Sequence, residues 1–146
     1  MSWRIFQRLF NVPPRKDSRY FTDKSGEKFW IDWDVEQFEY IAELHVVHRG
    51  RWVGLLSLLR ERDGSLILRD MILLERYKQK EQDLDNAMLG ELIRWAEANN
   101  FKRIVGIITP RAGSTLKSLT EWYEQQGFSV KDRRIFLELK GARPSS

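Results

Sequence analysis

Cysteine is absent from this chain, which excludes disulfides, thiolate nucleophiles and cysteine-based metal sites. No apolar run approaches the roughly 20 residues that a membrane-spanning helix needs. Histidine is scarce too. His45 and His48 fall on opposite faces of an expected strand, so they cannot form a metal pair and are expected to be solvated. No cluster of acids has metal-ligand spacing, and no Ser/His/Asp or P-loop pattern occurs. Outside the N-terminus the chain also lacks an excess of either charge. Its formal net charge of +4 equals Arg4, Arg8, Arg15 and Lys16, which leaves 21 basic against 21 acidic groups in the remaining 130 residues. No phosphate-tracking surface is evident, and nucleic acid becomes a minor hypothesis. The start MSWRIFQRLF has arginines interrupting a short apolar set and does not read as a secretory signal. With the missing cysteine, this points to the cytoplasm.

What is present suits one packed domain: 42% hydrophobic residues and six Trp in 146 residues. Residues 1–28 read as a basic amphipathic segment and linker. Trp3, Phe6 and Phe10 share a helical spacing that Pro13 and Pro14 end, and Asp23, Ser25 and Gly26 mark a turn. Such a helix can cover an edge of its own sheet, dock a partner or lie on an anionic membrane surface. Residues 29–140 form the domain, and 141–146 read as a disordered tail.

Within the domain, Phe29 to Trp33 reads as a first strand. The period-two pattern from Glu39 to Val46 predicts a half-buried strand, and turns at Arg49-Gly50 and Arg62-Asp63-Gly64 lead to strands over 52–60 and 65–74. Glu75 to Asp85 reads as a polar loop before a helix with Leu84, Met88, Leu92 and Trp95 on one face. Asn99-Asn100 ends that helix. Residues 103–109 predict a strand buried on both faces at the sheet centre, Ser114 is placed to cap a helix over 115–126, and 128–130 with 135–139 predict a closing hairpin. Asp70 shares a strand face with Leu66, Leu68, Ile72 and Leu74. A buried carboxylate there would have a raised pKa and could take a proton from an amine, or could sit in a salt bridge.

This order resembles the GNAT acetyltransferase superfamily. Leu89-Gly90-Glu91-Leu92-Ile93-Arg94-Trp95-Ala96 followed by Phe101-Lys102-Arg103-Ile104-Val105 looks like that family's long helix and next strand. Glu121-Trp122-Tyr123-Glu124-Gln125-Gln126-Gly127-Phe128 is similar to its late "FYEKLGF" segment. The likeness covers residues 39 to 140. It implies a single-domain GNAT-like α/β fold with a mixed, mostly antiparallel sheet flanked by helices.

The resemblance also implies a site. Acetyl-CoA would lie where strands 65–74 and 103–109 splay apart, its pantetheine pairing with main chain near Ile72, Leu73 and Leu74 and its pyrophosphate resting on N–H groups from Gln82 to Asn86. Tyr123 would protonate the departing thiolate. The family's Arg/Gln-x-x-Gly-x-Gly/Ala loop is degenerate here, for it reads Lys80-Glu81-Gln82-Asp83-Leu84-Asp85. Lys80 stands for the basic residue, but no glycine opens the main chain, and Glu81, Asp83 and Asp85 bring carboxylates where an anion should dock. Arg76, Lys78 and Lys80 offset them in number. The family's asparagine is replaced by Leu116.

Two functions follow. One is an N-acyltransferase moving an acetyl group from acetyl-CoA to an amine acceptor. The other is a non-catalytic GNAT-fold binding or interaction module. An exposed edge strand would make a homodimer plausible in either case.

Overall fold

Apolar residues at every second position from Ala42 onward need a surface to pack against, and this requirement organises the sheet. The computed structural model describes residues 19–35, 40–111 and 113–140. The helix expected over 2–11 and the tail over 141–146 lie outside them. The elements in chain order are β1 (Arg19–Thr22), β2 (Lys28–Val35), β3 (Ile41–His48), β4 (Arg51–Arg60), β5 (Ser65–Leu73), a 3-10 helix (Glu75–Lys80), α1 (Glu81–Ala98), β6 (Arg103–Ile107), α2 (Leu116–Gln125), β7 (Ser129–Lys131) and β8 (Arg134–Glu138). The strands form one eight-stranded sheet in the order β1-β2-β3-β4-β5-β6-β8-β7. β6 runs parallel to β5 and antiparallel to β8, so the sheet is mixed and mostly antiparallel, and helices flank it as expected. Among the described residues no helix is long and apolar enough to cross a membrane.

The chain divides into two compact units, one comprising residues up to Ser57 with Asp70–Leu92, the other Leu58–Arg69 with residues from Ile93 onward. In the first, Phe29, Leu44, Val46 and Leu56 are buried, and so are Leu84, Met88, Leu89 and Leu92 of α1. Residues 19–22, expected as linker, are instead a strand, with Arg19 opposite Ile31 and Thr22 opposite Lys28. The turn expected at Asp23 to Gly26 is what folds them back. β3 is buried on both faces from Leu44 to His48 rather than half-buried. His45 and His48 are therefore 1% and 9% exposed, not solvated. Both find partners that make burial tolerable: His45 stacks on Trp52 with ring centroids 3.8 Å apart, and His48 stacks on Phe29 at 4.6 Å.

In the second unit, Leu58, Leu66, Leu68, Ile104, Ile108, Ile135 and Leu139 form the core. The parallel ladder runs from Ser65↔Arg103 to Leu68↔Gly106. Gly106 is required there, because a Cβ would come within 3.0 Å of the Leu68 carbonyl and 3.3 Å of Ile135. Burial on both faces through Thr109 is not realised: β6 ends at Ile107, which is 64% exposed. The cap of α2 is Thr115 rather than Ser114. Its hydroxyl accepts from the Ser118 N–H while the Ser118 hydroxyl accepts from the Thr115 N–H, both at 3.0 Å, which satisfies two leading donors at once. Gly127 closes the helix in the left-handed conformation at φ 98°.

Candidate functional site

The site begins at the β1–β2 turn. Asp23 is the hub of this turn, since its Oδ1 accepts from the Ser25 N–H at 2.9 Å, the Ser25 hydroxyl at 2.7 Å and the Glu27 N–H at 2.9 Å. Its Oδ2 accepts from Lys80 Nζ. The Asp23 side chain is only 2% exposed. The lysine and then the Ser25 hydroxyl hold its carboxyl far below the usual range, and the same contact raises the pKa of Lys80. Ser25 Oγ lies 3.1 Å from Lys80 as well.

A second tie joins this turn to the 3-10 helix. Glu27 Oε2 is 2.8 Å from His48 Nε2, and Tyr77 Oη is 2.7 Å from His48 Nδ1. A carboxylate can only accept, so in the neutral ring Nε2 carries the proton and Nδ1 accepts from the phenol. A third tie is the ion pair of Lys24 with Asp83 at 3.9 Å.

The segment expected as a polar loop over 75–85 is instead the 3-10 helix leading straight into α1. No glycine or proline interrupts residues 75–89, and Glu, Arg, Lys, Gln and Leu dominate, so helix is the local preference. The Glu81 N–H already donates to the Lys78 carbonyl, which removes one donor from the α1 terminus. The three cations that offset the acids are engaged: Lys80 with Asp23, Lys78 with Glu81 at 3.8 Å, and Arg76 over the Tyr77 ring at 5.4 Å. Gln82 and Asn86 are exposed, Asp83 is half-buried and Asp85 is buried.

At the end of β5 the buried parity changes. Leu66 and Leu68 are buried, Asp70 and Ile72 are exposed, and Leu73 is buried instead. The covered face therefore changes between Leu68 and Leu73. Ile72 (53% exposed) and Leu74 (43% exposed) lie on the wall of an open apolar cavity of about 270 Å³, completed by Trp52, Val53, Gly54 and Leu55. Asp70 is thus exposed, so the buried carboxylate expected on that strand face is not realised. The main chain of Leu74 is fully used, donating to the Val53 carbonyl and accepting from the Tyr77 N–H, both at 2.9 Å.

Tyr123 belongs to the second unit, where its ring meets Trp122 at 4.8 Å and Phe128 at 5.5 Å, both edge-on. Leu116 opens α2 and is 39% exposed. Among the described residues no three His, Asp or Glu side chains converge as metal ligands.

No protein-family model matches the sequence, and no curated protein matches it. Solved structures do match. The GNAT domain of S. lividans PAT superposes with a TM-score of 0.66 over 88% of this chain and 100% of that one, at 9% identity. The ribosomal-protein-S18-alanine N-acetyltransferase of Escherichia coli gives 0.57 over 75% and 74%, at 16% identity. The PaiA N-acetyltransferase of Thermoplasma acidophilum, solved in complex with coenzyme A, gives 0.53 over 68% and 60%, at 16% identity. The chain has the GNAT fold.

On this GNAT-fold chain, Lys80 ends the 3-10 helix and Gln82, Asp83, Asp85 and Asn86 follow in the first two turns of α1, while Ile72 and Leu74 share the cavity wall. Sequence reasoning missed Asp23, Glu27, His48 and Tyr77 as neighbours of that stretch. The only signal was the Asp-Lys-Ser-Gly turn, which gives the turn but not what its carboxylate reaches.

Proposed function

We propose that the protein is an acyl-CoA-dependent N-acyltransferase that moves an acetyl group to an amine. The fold supports this, and so does the likeness to a structure that holds coenzyme A. The observation that carries it is the end of β5, which leaves its ladder with β6 at Leu68↔Gly106 and continues to Leu73 with Ile72 exposed beside an apolar cavity. An extended pantetheine arm needs such a strand end, with main-chain groups for its amides and apolar walls for its methylenes. Leu73 is a better partner than Leu74, whose main chain is already satisfied, because adjacent residues of a strand present their main-chain groups to opposite edges.

When bound, the cofactor supplies the thioester. The chain's own residues orient it and move protons. The main chain of β5 polarises the thioester carbonyl. Lys80 and the leading N–H groups of α1, those of Gln82 to Leu84, take the pyrophosphate. Asp70, being exposed, accepts the amine proton through water, and the family likeness by itself assigns Tyr123 as the proton donor to the sulfur.

A second reading, a GNAT-fold interaction module without cofactor, is favoured by one observation: Lys80 is paired with Asp23, and carboxylates line the first turn of α1. Calorimetric titration with acetyl-CoA separates the two. Micromolar binding that weakens in Lys80→Ala supports the transferase, whereas no heat at millimolar acetyl-CoA supports the module.

A further inference from the structure

We propose that the β1–β2 turn is a removable cover on the phosphate end of the cofactor site, in which the Asp23 carboxylate holds Lys80 in place of a phosphate until acyl-CoA displaces it. This rests on the acyl-CoA reading above and adds a regulatory contact to it.

The turn grips the segment from Tyr77 to Asp83 at three points: Asp23 on Lys80, Glu27 on Tyr77 through His48, and Lys24 on Asp83. The central one is an internal substitute for a ligand. Asp23 presents an anion to the one cation at Lys80, and its remaining oxygen is satisfied by its own turn. A pyrophosphate brought to Lys80 would meet Asp23 and Asp83 at close range, and like charges in a half-buried place repel strongly. Lys80 cannot simply leave either, because a carboxylate 2% exposed would lose its counterion. The arrangement is relieved when the turn itself swings into solvent, where Asp23 is hydrated.

Two features make that movement feasible. Each outer tie has an exposed member, Lys24 at 86% and Glu27 at 39%, which water solvates once the tie is released. The turn is also short, and at Gly26, which sits at φ 90°, nothing lies within 4 Å of the position of a Cβ, so no neighbouring group packs against it there. Closed and open states of the turn then compete with ligand for Lys80, so the apparent affinity for CoA is reduced by the fraction of molecules that are closed.

The test is calorimetric titration of coenzyme A into the full chain and three variants, each first checked for its fold by circular dichroism. Asp23→Asn keeps the acceptor that organises the turn and removes the charge on Lys80, so CoA should bind about tenfold tighter, a usual size for coupled sites. Adding Lys80→Ala to it should abolish the gain. Glu27→Gln loosens the turn at His48, removes only a through-space charge from Lys80 and should shift affinity in the same direction, which keeps the test decisive if Asp23→Asn does not fold. Wild-type binding that is unchanged or weakened in Asp23→Asn and in Glu27→Gln overturns the cover while leaving the transferase reading intact. No binding to any of the proteins at millimolar CoA overturns the transferase reading, and the cover with it.

Discussion

Lys80 and Asp23, 57 residues apart in sequence, meet as a hydrogen-bonded ion pair at the junction of the 3-10 helix and α1. The contact ties the first hairpin of the sheet to the helix start that a cofactor phosphate would use. It also sets a pH dependence. The Asp23 carboxyl is held below its free value, so its contribution is complete above the unfolded value of about 3.9 and is lost as pH falls toward the folded one. Lys80 is shifted upward, so its contribution is complete below about 10.4 and is lost above. Urea denaturation of wild type and Asp23→Asn should therefore show a constant stability gap between pH 5 and 9 on these grounds, narrowing below about pH 4. A gap that closes near pH 6 would contradict the assignment.

Tyr77→Phe removes the donor to His48 Nδ1 and leaves a buried acceptor unmet. It should destabilise by about 1–3 kcal/mol in chemical denaturation. A cost below a few tenths would mean that water replaces the phenol freely.

Gly106→Ala places a methyl against the Leu68 carbonyl, which is main chain and cannot rotate away. The expected loss is about 1–3 kcal/mol, read from a urea midpoint that falls at constant slope. An unchanged midpoint would show that β5 and β6 can part at this pair.

Tyr123→Phe keeps the ring against Trp122 and Phe128 and removes only the hydroxyl. If the phenol protonates the thiolate, turnover with acetyl-CoA and a responsive amine should fall about 100-fold, with acetyl-CoA affinity unchanged. Turnover equal to wild type would remove Tyr123 from the mechanism and leave it a packing residue.

The sequence was most informative where period and punctuation agree. Ala42, Leu44 and Val46 gave β3, Gly127 gave the end of α2, and Asp132-Arg133, with φ of 51° and 67°, gave the last hairpin. It was least informative where a contact spans the chain. Nothing near His48 says that Glu27 and Tyr77 will bracket it, so a histidine expected in water is buried. Reading 75–85 as a loop gave weight to its charges and too little to the absence of glycine and proline, which leaves helix as the local preference. Asp70 follows the alternation of β5 only as far as the change of parity, and that change depends on packing beyond the strand. The stretch Lys80 to Asn86 could be named from resemblance, but the carboxylate that holds its lysine could not.

The most direct test of the central claim is a nuclear magnetic resonance titration of the amide signals with acetyl-CoA. Perturbations concentrated at Ile72 and Leu73 on β5 and at Gln82 to Asn86 at the start of α1 are the predicted result. An amide spectrum unchanged at millimolar acetyl-CoA, or perturbed only at residues remote from both stretches, would contradict the account.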